Sequence, residues 1–295
     1  MQEYFYFDTN VYRDIVENNW HADDALIRRH KKRFKLATTT ILELLEDLYT
    51  RPAEEFTTAQ RVLQLARDTA GHALLPIREE FLAQRIFHTH FKSEHLGKHQ
   101  INRWINVAIR YRSKVDLGLF VPVGPLQSMA LDIAAIKKAE DEFRNIHTRM
   151  VGDYLREILK EAGITTPPLV GGPLTGKEAT LTTRFFEGVQ WSRHYVRMWA
   201  KTLGRPNLSE QELDELWPLM QPAGEFLSKL LLQSIRDRYN YERNSNDVTD
   251  EAHLSYLCDP SLRFVTHDKR LRSKLSASSL SRVIPLEELK KRLTL

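Results

Sequence analysis

Hydrophobic and polar positions alternate in short blocks along the first ninety residues of this chain. An apolar run at residues 4–7 predicts a buried strand, and the spacing of apolar positions from about Val11 predicts a helix. Further strands are predicted over residues 34–40 and within 72–77, each separated from the next by a helical pattern. Such alternation of strand and helix favours parallel βαβ units.

The middle of the chain lacks this alternation. Between about residues 81 and 241 the strand patterns nearly vanish, and long stretches with helical spacing take their place. The longest predicted helix covers residues 131–163, and others are predicted over 186–204 and 224–244. We therefore expect a helical block in the middle of the chain.

Alternation returns near the C-terminus. A helix is predicted over residues 250–257, and strands are predicted at 263–266 and 282–286. A helical pattern follows each of these strands. The end of the chain therefore repeats the organisation of its beginning.

The two ends of the chain look like halves of one α/β core with a central, mostly parallel sheet. We assign residues 1–90 and 240–295 to this core, and residues 91–239 to a large all-helical insertion or subdomain. An insertion of this length is tolerated because the entropy of loop closure grows only logarithmically with length.

Composition narrows the class of protein. Charged residues make up 28% of the 295 residues, as in ordinary globular proteins. No apolar run approaches the roughly 20 residues that a membrane helix needs, and the N-terminus lacks the pattern of a signal peptide. The single cysteine, Cys258, cannot form a disulfide within the chain. We therefore expect a cytoplasmic protein without a membrane partner.

Positive charge is concentrated in a few stretches, although the net charge is only +4. Basic residues cluster at residues 28–35, 85–114 and 263–274. Such patches suit a polyanion, and nucleic acid is the natural candidate. The alternative is that these stretches are ordinary solvated faces.

Acidic residues stand where the predicted strands end or where the next helix begins. They are Asp8, Glu43, Asp247, Asp250 and Asp268. Because sites in open parallel sheets form beyond the carboxyl ends of the strands, we expect these side chains to meet at one edge. Each acid also has an ordinary explanation, since Asp is a favoured helix N-cap and Glu suits any helix.

Convergence of several carboxylates would require either that some of them are protonated or that a cation lies between them. Two unit charges 4 Å apart repel by about 4 kcal/mol at an effective dielectric of 20. A bound cation would relieve this repulsion, and oxygen ligands suit Mg²⁺ or Mn²⁺. The sequence therefore predicts that a metal ion, and not an arginine, balances Asp8.

Four motifs of this chain resemble those of PIN-domain nucleases, and they occur in the same order. FDTN at residues 7–10 resembles the first motif, and TTTILELLEDL at 38–48 resembles the second. NDVTDEAHLSYL at 246–257 resembles the third, and RFVTHDKRL at 263–271 resembles the fourth. The resemblance covers the two segments assigned to the core, whereas the middle of the chain has no counterpart.

The resemblance implies a three-layer α/β/α fold and metal-dependent hydrolysis of RNA or sometimes of DNA. The residues that match the family's catalytic and metal-binding acids are Asp8, Glu43, Asp250 and Asp268. Asp247 is either a further metal ligand or the N-cap of its helix. Asn10 and Thr266 match polar positions that support the site.

These matches predict an endoribonuclease of a toxin-like or defence type, with Mg²⁺ or Mn²⁺ as cofactor. Lys269, Arg270 and Arg272 follow the fourth motif directly, so they are predicted to contact the phosphate backbone. Two alternatives stay open, a structure-specific DNA nuclease and a catalytically silent module that binds nucleic acid or protein. An inhibitory or activating protein that binds the helical insertion, and a homo-oligomer, are also left open.

Overall fold

The computed structural model describes residues 2–18, 21–70, 73–91, 98–110, 160, 176–236 and 246–294. Its strands are β1 (Tyr4–Phe7), β2 (Leu36–Ala37), β3 (Leu74–Leu75), β4 (Leu262–Val265) and β5 (Val283–Ile284). Its helices are α1 (Thr9–Glu17), α2 (His21–Arg29), α3 (Thr38–Thr50), α4 (Phe56–Ala70), α5 (Arg78–Leu82), α6 (Lys98–Arg110), α7 (Gly176–Glu187), α8 (Val189–Thr202), α9 (Glu210–Arg236), α10 (Asn246–Ser255), α11 (Lys269–Ser273), α12 (Ala277–Leu280) and α13 (Leu286–Thr294). None of these described helices combines the length and the apolar character needed to cross a membrane.

The strands form a small parallel sheet. β4 pairs with β1 on one side and with β5 on the other, and β2 pairs with β3, all in parallel. A parallel bridge between Phe5 and Phe34, and a 2.8 Å hydrogen bond from the Lys35 amide to the Phe5 carbonyl, connect the two groups. The spatial order is therefore β3-β2-β1-β4-β5. The predicted first strand at residues 4–7 is confirmed, and so is a parallel sheet within a mostly helical chain.

Neighbouring strand residues face opposite sides of the sheet, and this produces two hydrophobic clusters. Tyr6 of β1 and Phe264 of β4 belong to the first cluster, which also contains residues of α7, α8, α9 and α10. Phe5 and Phe7 of β1 belong to the second cluster, with residues of α1, α3, α4, α6 and α13. Each of the two clusters therefore combines strand residues with residues of several helices.

The segment assigned to an insertion shares this core. Trp191 and Tyr195 of α8 and Phe226 of α9 are buried in the same cluster as Tyr6 and Phe264. In the part of the chain that the structure describes, these helices therefore share one hydrophobic cluster with residues of β1 and β4. The helix predicted over residues 131–163 lies outside the described residues, apart from Lys160.

The strand predicted over residues 34–40 is too long, because β2 has two residues and α3 begins directly after it. The hydroxyl of Thr38 donates to the Leu75 carbonyl at 2.7 Å, and that of Thr40 donates to the Phe7 carbonyl at 2.9 Å. Threonine favours strands, but here the hydroxyls satisfy carbonyl groups at the ends of β3 and β1. The start of α3 is thereby tied to the carboxyl ends of two strands.

Two predicted helix boundaries are wrong. The helix predicted over residues 250–257 begins earlier, at Asn246, so Asp250 lies inside α10 and does not open it. The helix predicted over residues 186–204 is divided into α7 and α8, which meet at Gly188. Gly188 has an extended backbone, with φ −106° and ψ 177°, and this ends the helical run.

Replacing Gly188 by alanine should destabilise the protein by about 1–3 kcal/mol, as overpacking does elsewhere. A Cβ atom at this position would overlap the backbone carbonyl oxygen of Arg184, which cannot move without distorting α7. Urea denaturation would measure the change, with Val189→Ala as the control because that neighbour is 56% exposed. An unchanged free energy of unfolding in Gly188→Ala would contradict the packing at this break.

Candidate metal centre

The carboxyl ends of β1 and β4 adjoin in the sheet, where the strand order reverses direction. Open parallel sheets bind ligands at such a position. Asp8 follows β1, and its amide donates to the Val265 carbonyl at 2.9 Å. Thr266 follows β4, and its hydroxyl donates to Oδ2 of Asp8 at 2.6 Å. Two hydrogen bonds therefore hold Asp8 at this edge of the sheet.

Asp8 is the N-cap of α1 and is also buried. Its side chain accepts a long hydrogen bond, 3.5 Å, from the Asn10 amide, and the residue is 6% exposed. Burial raises the pKa of the Asp8 carboxyl, and the nearby Glu43 raises it further, while His253 and the Thr266 hydroxyl oppose the shift. The charged form of Asp8 is therefore destabilised by its surroundings.

Glu43 reaches the same edge from α3. Its side chain is 27% exposed, and its Oε2 accepts a hydrogen bond from the hydroxyl of Thr9. Thr40 lies about one helical turn before Glu43 and anchors α3 to the end of β1. The threonine-rich start of α3 thus determines where the Glu43 carboxylate lies.

His253 is the site residue that the sequence analysis missed. Its Nε2 lies 3.4 Å from Oε2 of Glu43, and the side chain is 1% exposed. The imidazole stacks on the ring of Phe264, with centroids 5.0 Å apart and planes at 14°. The hydroxyl of Tyr6 donates to the His253 carbonyl at 2.7 Å. The sequence did contain a signal for it. His253 lies one helical turn after Asp250 and next to Leu254, so a histidine stands among apolar positions of that helix.

Asp8, Glu43 and His253 form a group in which one ligand atom from each lies within 4.8 Å of the others. Two ligands bound to one ion at about 2.1 Å are at most about 4.2 Å apart. Small side-chain movements would therefore bring all three onto a single ion. Within the described residues, this is the group of three potential ligands that the structure brings together.

The other predicted acids lie outside this group. Asp250 is buried in α10, one turn before His253. Asp268 caps α11, since its Oδ1 accepts hydrogen bonds from the amides of Arg270 at 2.6 Å and Leu271 at 2.9 Å. Its own amide donates to the Thr266 hydroxyl at 3.0 Å, so its backbone is adjacent to the site while its side chain serves the helix.

Asp247 lies in the first turn of α10, and its side chain lies outside what the structure describes. Asn10 reaches Asp8 through its backbone amide alone, since its side chain accepts a hydrogen bond from Arg13 at 3.3 Å. Nε of Arg13 donates to Asp47 at 2.8 Å. Arg13 is therefore engaged away from Asp8, which leaves His253 as the nearby group that can carry positive charge.

Basic residues lie beyond both ends of the strands, the carboxyl end near the site and the amino end opposite it. Lys269 and Arg270 are exposed at the start of α11, beside the site, and Arg272 is half-buried. The basic stretch at residues 28–35 precedes β2, at the amino end of the strands, where Lys35 lies over the ring of Tyr4. Of these two groups, the one on α11 is therefore placed to contact a ligand at the site.

A partly buried ion pair holds α10 in place. Glu251 pairs with Arg78 of α5 and accepts a hydrogen bond from the hydroxyl of Tyr195 in α8 at 2.6 Å. The guanidinium of Arg78 also lies 4.7 Å from the ring centroid of Trp199. Because Glu251 is two residues before His253, this network positions the helix that carries the imidazole.

The residues fit a divalent ion in donor type and position. When Nε2 of His253 binds an ion, the ring proton must lie on Nδ1. This atom is buried and has no hydrogen-bond partner in the described structure. A buried N–H without an acceptor costs about 1–3 kcal/mol, which would reduce the affinity without preventing binding.

Comparisons of the chain with known protein families, with curated proteins and with solved structures found no match. The resemblance to PIN-domain nucleases therefore depends on the four motifs. Two of them supply Asp8 and Glu43, the third supplies His253, and the fourth supplies Thr266. All four motifs thus contribute a residue to the edge where β1 and β4 end.

Proposed function

We propose that this protein is a divalent-metal-dependent nuclease that hydrolyses phosphodiester bonds in RNA. The observation that carries the proposal is the group formed by Asp8, Glu43 and His253, whose ligand atoms lie within 4.8 Å of one another. Segments from both ends of the chain build this group at the position where parallel sheets bind ligands. The three-layer fold of PIN domains, with helices on both faces of a parallel sheet, is part of the same proposal.

The chain's own side chains would bind the ion and orient the substrate. Asp8 and Glu43 would bind the ion, and the hydroxyls of Thr266 and Thr9 hold their carboxylates in position. When bound, a divalent ion supplies a water of lowered pKa and neutralises charge on the phosphate. Lys269 and Arg270 would contact neighbouring phosphates of the strand.

RNA is favoured over DNA because the four motifs resemble a family that acts mainly on RNA. A toxin-like or defence role also follows from that resemblance and stays a proposal. In this proposal α7, α8 and α9 are a candidate surface for a regulatory protein, since they share a hydrophobic cluster with strands of the sheet that carries the site. A partner bound there would act on α10 through the hydrogen bond from Tyr195 of α8 to Glu251.

The proposal predicts cleavage of labelled single-stranded RNA by the purified full chain in the presence of Mn²⁺, and none in EDTA. Single-stranded DNA, branched DNA and tRNA would be tested beside it. Glu54→Gln is a suitable control, because this acid is exposed and belongs to none of the four motifs. Cleavage of DNA alone would reassign the substrate, and binding of RNA without cleavage at any metal concentration would favour the silent module.

A further inference from the structure

We propose that His253 makes this site selective for a divalent first-row transition ion, of the Mn²⁺ class, over Mg²⁺. The inference rests on the proposed metal-dependent function and specifies its cofactor. The sequence predicted ligation by carboxylates, which Mg²⁺ accepts readily. The structure replaces one of the expected oxygen ligands by the imidazole nitrogen of His253.

The geometry around His253 resembles that of a ligand already in place. Adjacent ligands on an octahedral ion, bound at about 2.1 Å, are about 3.0 Å apart. Nε2 of His253 and Oε2 of Glu43 are 3.4 Å apart, close to that separation. The stacking on Phe264 and the hydrogen bond from Tyr6 to the His253 carbonyl restrict the ring and its backbone. The nitrogen is therefore presented to the site without a large rearrangement.

The imidazole nitrogen then favours Mn²⁺ over Mg²⁺. Mg²⁺ prefers oxygen ligands and keeps several of its waters, whereas imidazole is a good ligand for the transition ions. Because His253 is 1% exposed and stacks on Phe264, the ring would lose this packing if it turned away to leave an all-oxygen site. A second role for the ring would need no ion, since a protonated His253 could itself balance Asp8 and Glu43. That arrangement predicts no selective binding of Mn²⁺.

Calorimetric titration of the full chain with Mn²⁺ and with Mg²⁺ tests the inference. We expect Mn²⁺ to bind at least tenfold more tightly, a difference of about 1.4 kcal/mol. Electron spin echo envelope modulation of the Mn²⁺-loaded wild-type protein should show coupling to a ¹⁴N nucleus of imidazole. Mn²⁺ binding without this coupling, or equal affinity for the two ions, would overturn the inference.

His253→Gln should remove the ¹⁴N coupling and reduce the preference for Mn²⁺ to less than tenfold. His267→Gln is the matched control, because His267 lies in the fourth motif, is 31% exposed and faces Asp14 at 3.5 Å instead of the cluster. This control should retain both the coupling and the preference. If His253→Gln fails to fold, the wild-type spectrum and the two affinities still decide.

The outcome separates the inference from the proposed function. Equal binding of Mg²⁺ and Mn²⁺, with RNA cleavage in either ion, would reject the role of His253 and leave the nuclease intact. Absence of binding of either ion to the wild-type chain, together with absence of cleavage, would reject both.

Discussion

Replacing Asp8 by asparagine should reduce RNA cleavage about 1,000-fold, which corresponds to about 4 kcal/mol of transition-state stabilisation. The same replacement should raise the free energy of unfolding of the metal-free protein. Asparagine keeps an oxygen that accepts the hydrogen bond from Thr266, but it removes a buried negative charge close to Glu43. Activity and stability are therefore expected to change in opposite directions.

The stability gain should depend on pH. Because burial raises the pKa of Asp8, the folded state holds this proton more tightly than the unfolded state. The contribution of Asp8 to stability therefore falls as the pH rises from the unfolded value of 3.8 through the raised folded value. In Asp8→Asn this decline is absent, so the advantage of the variant over the wild type should grow with pH across that window.

Single-turnover cleavage rates and urea denaturation at several pH values would measure both effects, without metal for the stability series. Asp14→Asn is the matched control, since Asp14 lies on the same helix with its side chain 40% exposed. If Asp8→Asn instead lost activity and also destabilised the metal-free protein, this carboxylate would have a structural role, and its buried charge would not strain the fold.

Replacing Arg78 by methionine should destabilise the protein by about 3–5 kcal/mol, as loss of one partner from a buried ion pair does. Burial opposes the charged form of Arg78, but Glu251 and Glu79 outweigh it and raise the pKa of the guanidinium. The exposed fractions of the Arg78 and Glu251 side chains are 18% and 9%, so removal of the arginine leaves Glu251 as an uncompensated buried charge. Lost cation–π contact with Trp199 adds to the effect.

The double variant Arg78→Met, Glu251→Leu should recover much of this loss, because it removes both charges together. Urea denaturation of the two single variants and the double variant would complete the cycle. Arg193→Met is the control, since Arg193 forms its ion pair with Asp214 on the surface and should change stability little. A double variant as unstable as Arg78→Met alone would show that packing, and not the unpaired charge, is responsible.

The same variants test whether the helical segment supports the site. Glu251 receives hydrogen bonds from both Arg78 and Tyr195, and it lies on the helix that carries His253. Loss of Arg78 should therefore weaken metal binding as well as folding. The double variant should restore stability more completely than metal binding, because leucine cannot accept the hydrogen bond from Tyr195.

Local patterns predicted the strands and helices around the site better than they predicted which side chains meet there. The aromatic run at residues 4–7 and the acid after it correctly placed Asp8 at the end of β1, because strand and turn depend on neighbouring residues. Glu43 was also placed near the strand ends. Asp268 shows the limit of this reasoning, since the same position serves capping, and the side chain is engaged with amides of α11.

His253 could not be selected from the pattern of acids. Its position at the site depends on α10 beginning at Asn246 and on its ring stacking against Phe264 of β4. Both depend on contacts between segments that are far apart in the chain. A histidine among apolar helix positions is otherwise an ordinary core residue.

The amino-acid sequence by itself predicted the strand at residues 4–7, the acid that follows it and a parallel sheet, because hydrophobic periodicity and helix capping are local properties. Only the tertiary structure decided which side chains share the site, that an imidazole nitrogen lies beside two carboxylates, and that the helices of the middle segment share a hydrophobic cluster with the sheet. These features depend on the register and packing of elements joined by more than 200 residues, such as His253 and Glu43, which are 210 positions apart. Local patterns do not show which residues so far apart in the sequence come into contact.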